Sequence, residues 1–287
     1  QQAARKKAAP QKQQRKAPSK PRTIPSLSLE DKIKDRERYV LFGLAAFIAV
    51  FIFRDFLFMN SLYLFKDIGS DTLNIFYPTM AHTADYLRSD GIPGWSFNQG
   101  MGQNINPLAM GKPFNYPLYM AGSSGMPYWI AIMEVVKIFV AAALFWHYLK
   151  LMKIKGLPAI IGSLMIAFSG FMIIGSGWYI FSTEAVNALL LLVGFEHLFQ
   201  NKKWWIFPVA VAVVGSENAF NLYMLGFFTG IYALFRYFSE REFNIAELGK
   251  LLGRMALFGA LGLGISAVFS FSTLRSEEHT SELQSHL

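Results

Sequence analysis

The sequence predicts an all-α polytopic membrane protein with about seven transmembrane helices and a large extracytoplasmic first loop. Composition is the first indication, because 53% of the 287 residues are hydrophobic and only 16% are charged, whereas a soluble domain carries about 25% charged residues. The distribution of the apolar residues along the chain is the second indication. The apolar residues are gathered into runs of about 20, the length that a helix needs to cross a bilayer core.

Seven apolar runs are candidate spans within a membrane domain at 39–274. They lie at 39–57, 128–149, 157–175, 179–199, 204–214, 221–238 and 255–271. The fifth run is short, so we expect its helix to be tilted, broken or extended through Glu217.

The first 38 residues differ in composition from the rest of the chain. They hold 12 Lys or Arg and four Asp or Glu, so the whole formal net charge of +8 (12 minus 4) lies there. Residues 1–28 have almost no large apolar side chains and cannot bury enough surface to offset their ordering entropy. We predict a basic, disordered cytoplasmic tail, followed by a charged juxtamembrane helix at 29–38. A nucleic-acid arm is the alternative, but attraction to anionic lipids explains the charge beside a span.

Basic residues in the connections predict the orientation. With the tail inside, the Lys and Arg clusters at 150–155, 202–203 and 236–254 also fall inside, and the opposite connections near 175–177 and 215–218 have none. This is the distribution that the positive-inside rule requires. It predicts a multi-pass protein of the plasma membrane, with its N-terminus in the cytoplasm and residues 59–127 outside.

The outer loop at 59–127 has two parts. Apolar residues at helical spacing within 71–89 predict a helix on the membrane surface, with a kink at Pro78. Residues 91–127 are rich in Gly, Pro, Asn and aromatic side chains, which is typical of turns. Because the aromatic residues can pack this part, we expect an ordered lid.

The residues that the chain lacks argue against several kinds of site. The chain has no cysteine, which excludes disulfides and thiolate metal sites. His82 and His147 are isolated in the sequence, so no zinc site is expected, and no Walker loop or serine-hydrolase elbow is present. Residues 275–286 read RSEEHTSELQSH, the translation of a common sequencing adapter, so we expect 275–287 to be an artefact that ends a fragment.

Two acidic residues follow the first span in KDIGSDTLNIFYP, namely Asp67 and Asp71. A carboxylate near the bilayer surface could act as a general base, or hold a divalent cation against a phosphate. Whether a metal is needed stays open. Asp71 is also well placed to cap a helix that starts near Thr72.

Charged residues inside spans are costly and indicate either pairing or function. Glu134 and Lys137 are three residues apart on one helix face, so they can pair with each other, or Lys137 can meet a phosphate. Glu184 and Glu217 lie near the outer ends of two spans. Either could be a second acidic residue of a site, or an interfacial carboxylate in water.

Three further side chains of the outer loop are candidates for substrate binding. Arg88 and Lys112 could bind a phosphate oxygen, and Trp95 could stack on a sugar ring. The alternatives are contacts with lipid headgroups for the two basic residues and packing within the loop for Trp95.

The chain resembles YfhO-like bacterial membrane proteins over roughly residues 40–270. KDIGSDTLNIFYPTMAHTADYLRSDGIPGWSFNQGMGQN resembles the first outer loop of that family. VVKIFVAAALFWHYLKL, IAFSGFMIIGSGWYIF and ALLLLVGFEHLFQNKKW resemble its second to fourth spans, and ENAFNLYMLGFFTGIYALFRYF a later one.

This family is similar to the GT-C superfamily of glycosyltransferases, so the resemblance implies a GT-C-like fold. It implies transfer of a sugar from a polyprenyl-phosphate donor to a cell-envelope polymer or lipid, outside the membrane. It implies a catalytic role for Asp71, at the Ser-Asp position, and a phosphate-facing role for Lys137, whereas Asp67 has no clear counterpart. The expected partners are the donor, the acceptor and membrane lipids, with no nucleic acid.

Two other functions stay open. A transporter or lipid flippase is favoured by the intramembrane charges of Glu134 and Lys137, and opposed by the long loop and the lack of a detectable repeat. A non-catalytic envelope scaffold predicts that no carboxylate of the loop matters.

Overall fold

The computed structural model describes residues 36–66, 69–92, 94–98, 102–105 and 110–285. The side chains of Gln103 and of residues 272–285 are not described. The predicted tail, nearly all of the juxtamembrane helix, and Asp67 therefore lie outside the described residues.

Apart from one very short hairpin, the regular secondary structure of the described residues is helical. Its helices are α1 (Glu37–Leu57), α2 (Tyr77–Ser89), α3 (Tyr116–Leu151), α4 (Leu157–Ala167), α5 (Gly170–Ile173), α6 (Phe181–Phe199), α7 (Ile206–Glu217), α8 (Ala219–Glu240) and α9 (Ile245–Ser285). A π-helical turn, Thr72–Phe76, precedes α2, and 3-10 turns at Pro113–Asn115 and Gly175–Trp178 precede α3 and α6. Strands β1 (Trp95–Ser96) and β2 (Gln103–Asn104) pair antiparallel.

Three of the described helices are long and apolar enough to cross a membrane: Glu37–Leu57, Pro113–Leu151 and Ile245–Phe271. Leu157–Ile173 and Ile206–Glu217 are apolar but shorter. The prediction of an all-α membrane protein is confirmed. The fifth predicted run does extend through Glu217, where α7 ends. The number of seven spans stays a prediction.

One stripe of α1 explains how the first span joins the bundle. Leu41, Ala45, Ala49 and Phe53 recur every fourth residue and are all buried, whereas Phe47 on the other side is 72% exposed. Residues at this spacing share one helix face, and that face packs on α3 and α4. The small alanines allow the backbones to approach, and the remaining surface is left for lipid.

The start of α2 differs from the predicted kink at Pro78. The backbone instead runs as a π-helical turn from Thr72 and changes to an α-helix at Tyr77, so that Pro78 lies in the first turn of α2. Proline has no N–H to give to the preceding turn, and it is tolerated where a helix begins. The proline therefore marks a change of helix type.

Helix α3 begins at Tyr116, inside the segment that was predicted to be loop. Gly122 interrupts it, with a positive φ of 75°. The Arg88 guanidinium fills the space beside Gly122, only 2.2 Å from where a Cβ would lie, and donates a hydrogen bond of 3.0 Å to the Met120 carbonyl. Arg88 thus partners a carbonyl at the break, so the helix can continue across a Gly-rich sequence.

Replacing Gly122 by Ala is expected to destabilise the protein by about 1–3 kcal/mol, because it adds backbone strain at positive φ and a clash with Arg88. Gly125→Ala is the matched control in the same helix, since its Cβ would meet only the Ala121 methyl, at 3.4 Å. Thermal unfolding of both purified variants in detergent checks this. Equal midpoints for the two variants would contradict the explanation.

Candidate functional site

A cavity of about 250 Å³ opens at one end of the helix bundle. Its walls are the turn before α2 and α2 itself, residues 112–119, and the adjoining ends of α6, α7 and α8. The opposite end holds Glu37, which accepts hydrogen bonds from Lys150 and from the Gly156 backbone. We call the Glu37 end the tail end.

Two carboxylates line the cavity, and an amide side chain holds each of them. Asn187 donates a hydrogen bond to Oε2 of Glu217, and Asn221 donates one of 3.0 Å to Oε1 of Glu184. The sequence after Glu217 places this carboxylate in the cavity. Asn218 ends α7 and caps α8, because its side-chain oxygen accepts hydrogen bonds from the backbone amides of Phe220 and Asn221. A helix end with its own cap fixes the direction of the carboxylate.

Lys112 reaches the same cavity because the residue before it, Gly111, has no side chain and packs closely against α7. Gly111 lies directly against the backbone of Ser216, and a Cβ there would fall 1.7 Å from the Ser216 carbonyl oxygen. This close approach brings Lys112 next to Glu217. Burial lowers the pKa of the Lys112 ammonium, and the neighbouring Glu217 carboxylate opposes that shift.

Asp71 is not part of the cavity wall. It begins the turn at Thr72 as predicted, but its side chain makes no capping hydrogen bond and its carboxylate lies over Gly69. Thr72 Oγ1 donates a hydrogen bond of 3.0 Å to the Gly177 carbonyl, which anchors the turn. One turn later, Ile75 does line the cavity, so the backbone of Asp71 lies one helical turn from the wall.

The predicted pair of Glu134 and Lys137 forms, and it lies behind Tyr179 of the cavity wall. Lys137 Nζ is 2.6 Å from Glu134 Oε1 and also donates to the Tyr179 carbonyl at 2.9 Å and to Ser182 Oγ at 3.2 Å. The three hydrogens of the ammonium therefore point at protein atoms. Both charged residues are buried, so a phosphate would reach Lys137 only if one of these bonds opened.

Tyr179 connects this pair to the segment between α1 and α2 through an uncommon backbone conformation. Its φ is +57°, in the left-handed region, and this conformation aims its carbonyl at Lys137. Its hydroxyl donates a hydrogen bond of 2.7 Å to the Tyr63 carbonyl. Burial raises the pKa of Tyr63 to about 12, so its own hydroxyl stays protonated beside Ser176. Strained residues of this kind cluster at functional sites.

The two other predicted binding residues lie elsewhere. Arg88 occupies the break at Gly122, as described above. Trp95 is 57% exposed in β1 and packs against Phe97 with ring centroids 6.2 Å apart. His82 ties this hairpin to α2 through a hydrogen bond of 2.8 Å to Ser96. The hairpin of the predicted lid is therefore tied to α2, and neither Arg88 nor Trp95 lines the cavity.

His147 is isolated in the sequence but has a partner in the fold. Its Nε2 lies 2.8 Å from Nε2 of His197, and the two rings stack. The residues are 50 positions apart, and the packing of α3 against α6 brings them together. No cluster of three or more residues able to hold a metal ion occurs in the described ranges.

Sequence reasoning also missed Asn187 and Asn221, which orient the two carboxylates. A signal was available for one of them, because Asn187 lies three residues after Glu184 and directly before the apolar run at 188–195. A buried amide beside such a run needs a hydrogen-bonding partner, and the sequence does not say which residue supplies it.

Comparison with known proteins agrees with the resemblance found in the motifs. The family model for the bacterial membrane protein YfhO matches residues 39–284, which is well over half of the chain. No curated protein and no solved structure matches. The chain therefore belongs to the YfhO family of bacterial membrane proteins.

Proposed function

We propose that this chain is a membrane glycosyltransferase, which moves a sugar from a polyprenyl-phosphate donor to a cell-envelope acceptor on the outer face of the plasma membrane. The cavity carries the proposal. It combines a lysine with two amide-held carboxylates, which suits a phosphate next to sugar hydroxyls. Its volume falls just below the range of about 300–1,000 Å³ of sites for drug-sized ligands, which suits one sugar ring.

The finer fold is part of the same proposal. In a GT-C-like arrangement of about seven spans, α6 and α8 also cross the bilayer, and their charged side chains pair inside the bundle. Glu196 on α6 is fully buried and lies 2.7 Å from Arg236 on α8. With the basic tail in the cytoplasm, the tail end faces inward and the cavity faces outward.

The proposed reaction is an inverting displacement. A carboxylate removes the proton from the acceptor hydroxyl, the acceptor oxygen bonds to C1 of the sugar, and the bond from C1 to the phosphate oxygen breaks. The lipid phosphate leaves with that electron pair. Asp71 is the base in this proposal, as the family resemblance implies. Lys112 holds the phosphate, and Glu217 and Glu184 accept hydrogen bonds from sugar hydroxyls.

Other predicted residues have different places in the proposal. Lys137 and Glu134 hold Tyr179, so they support the wall of the cavity from behind. Substrate contacts of Arg88 and Trp95 stay predictions, because both side chains lie away from the cavity wall. The same is true of Asp67, which is outside the described residues. Transfer assays with and without EDTA decide whether a divalent cation is needed.

Binding of the donor is expected to weaken as the pH rises through the lowered pKa of Lys112. The sign follows from charge, because only the protonated ammonium attracts the anionic phosphate. Lys112→Arg should move this loss to higher pH, since a guanidinium stays charged. Donor affinity measured across alkaline pH for both proteins checks this. The same midpoint in both would remove Lys112 from the phosphate site.

Transfer by the purified full-length protein in proteoliposomes tests the function itself. A panel of polyprenyl-phosphate sugars is supplied with envelope acceptors, and new glycosidic bonds are measured by mass spectrometry. The transporter or flippase alternative, which the buried Glu134–Lys137 pair favours, predicts movement of labelled lipid between leaflets with no new bond. That outcome would replace our proposal.

A further inference from the structure

A second groove, of about 460 Å³, lies at the tail end of the bundle, far from the cavity. Phe199 at the end of α6, Asn201 in the following turn, and the first turns of α9 form its sides. Arg241, just after α8, closes one edge. Three helices of the bundle therefore meet at this groove.

The groove has an excess of positive charge. Arg241, Lys250 and Arg254 line it together with one carboxylate, Glu247, which lies 3.9 Å from Arg241. Arg254 donates a hydrogen bond to the neutral amide of Asn201. Lys250 is exposed and has no hydrogen-bond or ion-pair partner in the part of the chain that the structure describes. Two positive charges are thus left without a counter-charge in the groove.

The lower part of the groove is apolar. Leu251 is buried and Leu257 is 65% exposed, while Gly253 has no atom within 4 Å of its Cβ position and leaves the space between them open. One helical turn beyond Arg254, Phe258 stacks on the half-exposed Trp204 at 5.0 Å. Tryptophans at this position mark the boundary between headgroups and hydrocarbon. The groove therefore runs from headgroup depth into the acyl region.

We propose that this groove is a binding site for an anionic phospholipid of the leaflet on the tail side. The headgroup phosphate contacts Arg254 and Lys250, and an acyl chain lies along Leu257. Free phosphate would explain the cations but not the apolar wall below them. Basic pockets between helices on the cytoplasmic side bind anionic headgroups in other membrane proteins. The site is independent of the proposed sugar transfer.

Native mass spectrometry of the purified full-length protein tests this, with phosphatidylglycerol, phosphatidylcholine and inorganic phosphate as probes. Phosphatidylglycerol should bind more tightly than phosphatidylcholine. Lys250→Gln and Arg254→Gln should each weaken phosphatidylglycerol binding by about fivefold, which corresponds to about 1 kcal/mol per basic residue. Lys250 has no partner within the described chain, so its variant avoids any folding effect of the Arg254–Asn201 bond.

Two further variants sharpen the result. Lys155→Gln removes an exposed positive charge at the same end but outside the groove, and should leave lipid binding unchanged. Glu247→Gln removes the negative charge and should tighten binding of phosphatidylglycerol. Equal binding of the two lipids, an equal effect of Lys155→Gln and Lys250→Gln, or displacement of the lipid by inorganic phosphate at similar concentration would overturn the proposal.

Discussion

Replacing Asp71 by Asn is expected to lower the rate of sugar transfer by about 10²- to 10⁴-fold, the usual contribution of a general base. The amide has nearly the same shape as the carboxylate but cannot take the proton of the acceptor hydroxyl. Because Asn keeps the shape of the side chain and an oxygen that accepts hydrogen bonds, the change should leave folding and membrane insertion intact. Initial rates at saturating donor measure the effect.

Asp85→Asn is the matched control for this variant. Asp85 is an exposed carboxylate on α2, in the same segment between α1 and α3, so its loss removes the same charge without touching the cavity. Glu217→Gln addresses the competing assignment, in which the carboxylate inside the cavity is the base. A deep loss of rate with Glu217→Gln and normal transfer by Asp71→Asn would transfer the role to Glu217. Normal transfer by both variants would refute both assignments of the base.

Replacing Lys137 by Met is expected to destabilise the protein by about 3–5 kcal/mol, which is typical when one partner of a buried ion pair is removed. Glu134 is 2% exposed, and its Oε2 has no hydrogen-bond partner within the described residues. Without Lys137 its other oxygen would lose its partner as well. Unfolding by heat or denaturant in a fixed detergent measures the change.

The double variant Glu134→Leu/Lys137→Met separates the pair from its packing. Removing both charges should recover most of the stability, because no buried charge is left unpaired. Asp55→Asn serves as the exposed control, since the Arg54–Asp55 pair is 3.8 Å long and about 60% exposed, and such pairs contribute about 1 kcal/mol or less. A double variant no more stable than Lys137→Met would contradict a role through pairing.

The sequence predicted those features that depend on local chemistry. The first span was predicted at 39–57, and the helix runs from Glu37 to Leu57. Glu134 and Lys137 were predicted to pair because residues three apart lie side by side on a helix. Family membership followed from the order of several short motifs, which a single span could not have provided.

Features that depend on packing between distant segments were missed or misplaced. The cavity is built from four separate parts of the chain, so its position relative to Asp71 could not be seen from the motif. His147 finds His197 only because α3 packs on α6. The Gly-rich stretch before Pro127 was predicted to be a loop. It is helical because Arg88, which lies on α2, donates a hydrogen bond to the Met120 carbonyl where Gly122 interrupts α3.

The measurement that tests the central proposal most directly is donor-protected labelling of the cavity from outside. The chain has no cysteine, so Thr79→Cys in the cavity wall and Asn74→Cys on the exposed side of the same segment can each be labelled alone. In intact cells, a membrane-impermeant maleimide should label both, and a polyprenyl-phosphate sugar should protect only the cysteine at 79. Labelling of that cysteine only after the membrane is opened, or labelling unaffected by the donor, would contradict the account.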